Sequence, residues 1–197
     1  MIYKIFLTGI CFASSILFSQ LIHNVETYDN GNIKYITYHQ RVGNKIIKIK
    51  YEEFYKNGKK RLEGAFKKNE KSGVWKEWNE KGIKISEGNY NRGLRDGFWI
   101  GWHNNGSKQG EVTWKNGKED GLWIIWHQNG QKMREVQWVD GKRNGKCQEW
   151  YESGAKKLEG KWKNGFKDGK WDYWHDDGSK IKEEIHEEGQ MKIEKWF

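Results

Sequence analysis

Three histidines share one position of a repeating pattern and are suited by type to metal chemistry. His103, His127 and His175 each directly follow a tryptophan, and the distances between them along the chain are multiples of 24 residues. Tyr55 and Asn79 occupy the same position elsewhere, and neither side chain could replace an imidazole that binds zinc. Equivalent positions of neighbouring hairpins lie about 9.5 Å apart, too far for two imidazoles to share a zinc ion at about 2 Å each. The sequence therefore predicts turn or surface histidines and no metal site.

A row of glutamates recurs at the same step and could in principle serve acid–base catalysis. The row, with a lysine three residues before each member, is Lys60 and Glu63, Lys84 and Glu87, Lys108 and Glu111, Lys132 and Glu135, Lys156 and Glu159, and Lys180 and Glu183. Catalysis needs two carboxyl groups whose pKa values are pushed apart, whereas equivalent carboxylates have equivalent surroundings. The rows instead predict ion pairs between neighbouring strands. We predict no catalytic residue and no cofactor.

One cysteine is a candidate nucleophile by type. Cys147 would be the sole thiol left after removal of an N-terminal signal, so no disulfide could form within the mature chain. It stands where the other repeats carry tryptophan, or tyrosine at Tyr51. We interpret Cys147 as a small buried substitute for an aromatic ring and not as a nucleophile.

A 24-residue unit positions all of these side chains and runs six times through residues 51–194 without insertion or deletion. Self-similarity at this period is typical of repeat arrays. The units span 51–74, 75–98, 99–122, 123–146, 147–170 and 171–194. The predicted structural residues are Trp78, Trp102, Trp126, Trp150 and Trp174, together with Gly82, Gly106, Gly130, Gly154 and Gly178.

Each unit contains two strand patterns and two turn patterns, with no room for a helix. In the second unit the strand patterns are Gly73–Trp78 and Ile83–Asn91. Pairs such as Asn105-Gly106 tolerate positive φ in a tight hairpin, and residues 117–121 supply a longer return loop. The sequence thus predicts an all-β fold, an elongated antiparallel β-meander of six hairpin repeats.

Several glycines within the second strand of the unit have a separate predicted role. Gly64, Gly88 and Gly160 each precede an aromatic residue by two positions and share its face of the sheet. A missing side chain there would let a neighbouring ring lie flat on the backbone.

The ends of the chain depart from the repeat. Residues 1–20 carry Lys4, an apolar run from Ile5 to Phe18 and the small Ser19, which is typical of an export signal. We therefore expect an exported protein, periplasmic, at the cell surface or secreted, with an uncleaved N-terminal membrane anchor as the alternative. Residues 21–50 are predicted to be a degenerate cap repeat, and residues 195–197 the C-terminal end.

Composition narrows the class of protein and of partner. Thirteen tryptophans and nine tyrosines replace the usual aliphatic core, which argues against disorder. The formal net charge is +9 for the full sequence, and removal of residues 1–20, whose only charge is Lys4, leaves +8. In an exported chain this charge favours anionic envelope polymers or lipid head groups over nucleic acid, although scattered charge of this size can also serve solubility alone.

At this point the residues resemble a known family. The pattern Gly-x-Trp-x-x-Trp-x-x-x-Gly-x-Lys-x-x-Glu-Gly-x-Tyr/Trp-x-x-Gly-x-x-x-Gly, which covers residues 51–189, resembles the bacterial MORN-repeat variant. The resemblance implies a strip of β-hairpins with an aromatic-lined surface and roles in binding proteins or acidic lipids. Some bacterial members carry the label YwqK-like antitoxin, a cytosolic role with which an export signal is inconsistent.

Three binding functions follow from these observations. The first is a non-catalytic scaffold for an unidentified protein partner; the others are binding to glycan or cell wall through a tryptophan ladder, and binding to an acidic lipid surface. We expect the row of Trp78 to form the core. The candidate binding surface is the more variable row of Trp75, Trp99, Trp123 and Trp171, because this row also accepts Tyr51 and Cys147.

Overall fold

The structure, a computed structural model, describes residues 3–5 and 21–197. All regular secondary structure in these residues is β-strand, and they fall into two compact units, one ending at Leu94 and one running from Arg95 to Phe197. The described residues contain no helix long and apolar enough to span a membrane. Apart from Tyr3–Ile5, the segment predicted as an export signal lies outside the described residues.

The first unit is an antiparallel meander in which each strand pairs with the next. Its strands are β1 (Tyr3–Ile5), β2 (Leu21–Thr27), β3 (Ile33–Val42), β4 (Lys45–Phe54), β5 (Lys60–Lys67), β6 (Glu70–Trp78) and β7 (Lys84–Asn91). Residues 21–50, the predicted cap, thus form β2, β3 and the start of β4. The β2–β3 turn is closed by Gly31 N–H, which donates to the Tyr28 carbonyl as the equivalent glycines of the repeats do.

The second unit continues the same pattern. Its strands are β8 (Leu94–Trp102, whose first residue ends the first unit), β9 (Lys108–Lys115), β10 (Lys118–Glu119), β11 (Gly121–Trp126), β12 (Lys132–Val139), β13 (Lys142–Trp150), β14 (Lys156–Lys163), β15 (Phe166–Trp174), β16 (Lys180–Glu187) and β17 (Gln190–Trp196). Neighbours are antiparallel throughout, and β9 pairs with both β10 and β11. The predicted all-β antiparallel hairpin meander is confirmed.

Two kinds of turn alternate along the meander. At the first kind, Gly106 has φ 86° and its N–H donates to the His103 carbonyl, while His103 N–H donates to the Ser107 carbonyl. This geometry is a type I turn followed by a left-handed glycine, which confirms the predicted positive φ at this position. Gly130 has φ 87° and closes its turn in the same way.

The second kind of turn is shorter than predicted. Asn116 and Gly117 have φ values of 50° and 81°, and Lys118 pairs directly with Lys115. Two consecutive residues in the left-handed backbone conformation form a two-residue loop, as in a type I′ hairpin. The prediction of a longer return loop over residues 117–121 was therefore wrong, since Lys118 and Glu119 already form β10.

The two tryptophan rows point to opposite faces of the sheet. Trp75 packs edge-on against Phe66 and Tyr90, with ring centroids 5.3 and 5.9 Å away. Trp78 instead pairs across the strands with Lys84. In each unit we call the side that bears the Trp75 row the ring face, and the side that bears the Trp78 row the ion-pair face.

The burial of these rows reverses the sequence-based expectation. Trp75 is 3% exposed, Trp171 is 2% exposed and Trp99 is buried, whereas Trp123 is half-buried. The row expected to be core is half-buried throughout, at Trp78, Trp102, Trp126, Trp150 and Trp174. The assignment of the Trp75 row to the outside was wrong, because the rings of Trp75 and Trp171 pack onto the backbone of Gly64 and Gly160.

Glycines provide the space that these rings need. A Cβ placed on Gly64 would lie inside the Trp75 indole, and a Cβ on Gly160 would lie inside that of Trp171. The indole N–H of Trp171 donates to the Lys161 carbonyl at 3.2 Å, so the buried polar atom has its partner. The predicted packing of rings onto backbone is confirmed at these two glycines.

Candidate functional site

The histidine position joins one repeat to the next. His103 Nε2 lies 2.9 Å from the Trp126 carbonyl oxygen, and His127 Nε2 lies 3.0 Å from that of Trp150. The Tyr151 hydroxyl donates to the Trp174 carbonyl at 2.9 Å. Histidine and tyrosine can replace one another at this position because either side chain can make this hydrogen bond. Within the described residues, no group of three or more histidine, cysteine, aspartate or glutamate side chains could hold a metal ion.

Turn side chains add a second connection between repeats. The Asn129 amide donates to the Glu152 carbonyl at 2.8 Å while its own oxygen accepts from Gln131 N–H at 2.9 Å. Asn57 makes the equivalent bonds to the Glu80 carbonyl and from Lys59 N–H. Because these turns are fixed to their neighbours within each unit, they offer a preorganised surface there.

The lysine and glutamate rows form ion pairs on the ion-pair face. The nitrogen–oxygen distances are 2.9 Å for Lys108 and Glu111, 2.6 Å for Lys132 and Glu135, and 2.9 Å for Lys156 and Glu159. The expectation that these pairs join neighbouring strands was wrong, because both partners belong to one strand. Residues three apart on a regular strand face opposite ways, and the bulge at each row tryptophan brings the two side chains together.

Some glutamates of the row also take a lysine from the neighbouring strand. Glu183 receives Lys170 from β15 at 2.9 Å as well as Lys180 from its own strand at 2.9 Å. Hydrogen bonds from Lys170 and Lys180 lower the pKa of Glu183 to about 2. Such carboxylates are held ionised and are poor proton donors at neutral pH.

Three row lysines of the second unit, Lys108, Lys132 and Lys156, each also cover a tryptophan of the following repeat. Lys108 Nζ lies 4.8 Å from the Trp126 ring centroid, and Lys132 Nζ lies 5.3 Å from that of Trp150. These distances are within the range of cation–π attraction. These half-buried tryptophans therefore have an ammonium group over one side of the indole ring.

Exposed apolar side chains interrupt the ion-pair face of the second unit. Phe98 is 52% exposed and Leu122 is 43% exposed. Phe98 and Leu122 each directly precede a tryptophan of the ring face, so their side chains point to the ion-pair face. Ile100 and Ile124 lie two residues further along β8 and β11, half-buried and paired with Glu111 of the intervening β9. Sequence reasoning missed this patch, although lysine replaces these residues at Lys146 and Lys170 in later repeats.

The ring face of the second unit contains a cavity at Cys147. The cysteine is 4% exposed, and burial raises the pKa of its thiol, so the protonated form is favoured. Its interpretation as a small buried residue is confirmed. The cavity has a volume of about 170 Å³ and is lined by Val136, Cys147, Leu158, Trp162, Trp171 and Tyr173, with charged side chains around them.

The fold and these surfaces define a β-repeat protein whose hairpins share a 24-residue step. Residues 119–140 match the family model described as MORN repeat variant. The matched segment runs from β10 to the turn after β12, and the match supports the MORN-repeat family that the sequence motif resembles. No curated protein matches the chain.

Proposed function

We propose that this protein is an exported, non-catalytic MORN-repeat scaffold that mediates protein–protein interaction. The MORN repeat itself indicates a scaffold for protein or membrane interaction. The observation that carries the proposal of a protein partner is the patch of Phe98, Ile100, Leu122 and Ile124 on the ion-pair face. Clustered apolar side chains on a rigid surface are typical of protein interfaces.

The surroundings of the tryptophans favour a protein partner over a glycan. A sugar stacks on an open aromatic face, whereas Lys108 and Lys132 already lie over the rings of Trp126 and Trp150. A protein partner can use Phe98 and Leu122 without displacing those ammonium groups.

The charge arrangement favours a protein over a lipid surface as well. Attraction to acidic lipid depends on uncompensated positive charge near the surface. On the ion-pair face the row lysines Lys108, Lys132 and Lys156 are each within 2.9 Å of a glutamate, so their charge is largely balanced.

We also propose that the protein is not an enzyme. All-β MORN-repeat folds are typically non-enzymatic, and the row carboxylates are equivalent ion-pair partners. Buried Glu184 accepts from Lys167, Lys182, Tyr173 and His186, which leaves it occupied by structural partners.

Export rests on the sequence of residues 1–20 and has its own test. N-terminal sequencing of the native protein should find a mature chain beginning at Gln20 or Leu21. A protein that retains Met1 in the membrane fraction would indicate the anchor, and one that retains it in the cytosol would contradict export.

Site-specific photocrosslinking tests the proposed partner class. A benzophenone amino acid in place of Phe98 should give a protein adduct in cells, whereas the same group in place of turn residue Glu152, whose side chain is 76% exposed, should not. Lipid or polysaccharide in the Phe98 adduct, or equal protein capture from both positions, would contradict the proposal. Binding to acidic vesicles that falls steeply with salt would identify a lipid surface instead.

A further inference from the structure

We infer that the cavity beside Cys147 is an anchor site for an aromatic side chain of the partner protein, carried on an acidic segment. The inference rests on the proposed protein-binding function and names the chemistry that one part of the surface recognises. It concerns the ring face of the second unit, whereas the apolar patch lies on the ion-pair face.

The cavity exists because Cys147 stands where four other repeats carry a ring-face tryptophan. In the second unit Gly160 leaves room for the Trp171 ring, and in the first unit Gly64 does the same for Trp75. At the same spacing of 11 residues, Val112 precedes Trp123, which is half-buried, and Val136 precedes Cys147. Valine at this position is therefore compatible with a tryptophan, and it is the cysteine that leaves the space beside Val136 without a ring.

The volume and walls of this cavity suit an aromatic ring. A cavity of about 150 Å³ with apolar walls accepts benzene, and this one measures about 170 Å³. Val136 and Leu158 provide apolar surface. Trp162 and Trp171 meet edge-to-face at 5.1 Å, so a further ring would extend an existing aromatic cluster.

A cation without its usual ring gives a second argument for an aromatic occupant. In other repeats the cation four residues before the ring-face tryptophan lies over that ring, at 4.2 Å for Lys71 and Trp75, 4.3 Å for Arg95 and Trp99, and 4.8 Å for Lys167 and Trp171. Arg143 holds the same position before Cys147. Its guanidinium lies over Trp162 at 4.9 Å and Trp138 at 5.6 Å and lines the cavity, where an incoming ring would take the place of the absent ring-face tryptophan.

The charges around the cavity select the segment that carries the ring. Arg134, Arg143 and Lys167 line it together with a single carboxylate, Glu149. Glu149 is paired with Arg134, and Lys167 is paired with Glu184. Arg143 has no ion pair with any residue that the structure describes. Carboxylates beside the incoming ring would therefore meet a net positive rim.

A peptide probe tests this site directly. The probe is acetyl-Glu-(4-fluorophenylalanine)-Glu-amide, followed by ¹⁹F NMR on the full chain. We expect binding that acetyl-Glu-Phe-Glu-amide displaces, and that acetyl-Glu-Leu-Glu-amide and acetyl-Lys-Phe-Lys-amide displace much more weakly. No binding of the probe, or equal displacement by all three peptides, would overturn the inference.

A variant that fills the cavity provides the matched control. Val136→Gly with Cys147→Trp recreates the glycine–tryptophan pair found at Gly160 and Trp171, so the chain should fold with its own ring in the cavity. We expect its affinity for the probe to fall about tenfold or more, as for loss of an interface anchor. Lys161→Ala, at an exposed position outside the cavity lining, should bind as the native chain does. Equal affinity of the filled and native chains would refute the site.

A second variant covers the case in which the filled chain does not fold. Arg143→Gln keeps the cavity but removes the cation, and it should weaken the acidic probe more than an acetyl-Gln-(4-fluorophenylalanine)-Gln-amide probe. Equal weakening of both probes would contradict the charge argument.

The photocrosslink at Phe98 separates this inference from the proposed function. If the filled variant still captures the partner as well as the native chain does, the cavity is not an anchor although the scaffold function stands. If Phe98 captures no protein in either chain, the proposed function itself fails.

Discussion

The packing of the ring face makes a quantitative prediction for Gly160→Val. A Cβ at this position would overlap the Trp171 indole, so the ring must leave its place on the backbone. A buried tryptophan removes roughly 200 Å² from water, worth about 5 kcal/mol at about 25 cal/mol per Å². Because the displaced ring can keep part of its contacts, we expect a loss of about 3 to 5 kcal/mol in the free energy of unfolding.

The same structure contains the compensating change. Val136 and Cys147 occupy the positions that Gly160 and Trp171 occupy one repeat later. Adding Trp171→Cys to Gly160→Val should therefore cost clearly less than the two single changes together, with a coupling of about 1 to 3 kcal/mol.

Urea denaturation followed by circular dichroism measures this double-mutant cycle, and Lys161→Ala serves as the control because this neighbour is exposed. The control should change stability by less than about 0.5 kcal/mol. Additive losses in the double variant, or a Gly160→Val loss as small as that of Lys161→Ala, would refute the account of ring packing.

Three further predictions concern the turns, the ion pairs and the repeat. Gly106→Val should cost about 1 to 2 kcal/mol or more in urea melts because Gly106 has φ 86°, whereas Lys108→Val should cost much less; equal costs would contradict the turn assignment. Burial acts to raise the pKa of Glu52, but hydrogen bonds from Lys60, Tyr38 and Lys50 outweigh it and lower the pKa to about 2. Stability from this carboxylate is present above its unfolded pKa of about 4.5 and lost as pH falls toward 2, so Glu52→Gln should flatten the acid limb of the stability curve, and an unchanged limb would be inconsistent with the ion pairs. Deleting residues 99–122, one whole unit, should leave a folded chain by thermal melt, whereas deleting twelve residues should not; equal cooperativity of the two would argue against the repeat.

The strand meander and its turn glycines could be predicted because they depend on local chemistry. A glycine such as Gly106 takes positive φ at little cost, and unbroken spacing fixes where each strand ends. The short type I′ turn was also within reach, since Asn116-Gly117 is a pair that favours it.

The identity of the buried face could not be read from the spacing of the tryptophans. Trp75 and Trp78 belong to rows with the same period, and alternation places them on opposite faces without saying which face is covered. Burial is decided by Gly64 and Gly160, which belong to other strands. Their position 11 residues before Trp75 and Trp171 was the signal in the sequence, and it becomes meaningful only when the strand register is known.

The cavity at Cys147 and the patch at Phe98 were missed for a related reason. Each results from residues that depart from the repeat pattern. The effect of such a departure depends on the residues that it contacts, and the sequence pattern alone does not identify those contacts. Val136, Cys147 and Arg143 lie at separate points of the sequence, and the register of β12, β13 and β14 brings them around one space.

The most direct test of the central claim compares Phe98→Ser with Trp171→Ala in paired melts and partner-capture measurements on the full chain. Phe98 is exposed on the ion-pair face, so Phe98→Ser should change stability by less than about 1 kcal/mol while abolishing capture of the protein partner. Trp171→Ala should cost about 3 to 5 kcal/mol because it empties the core of the ring face. A Phe98→Ser chain that captures its partner as the native chain does would contradict the account of this protein as a scaffold that binds through its ion-pair face.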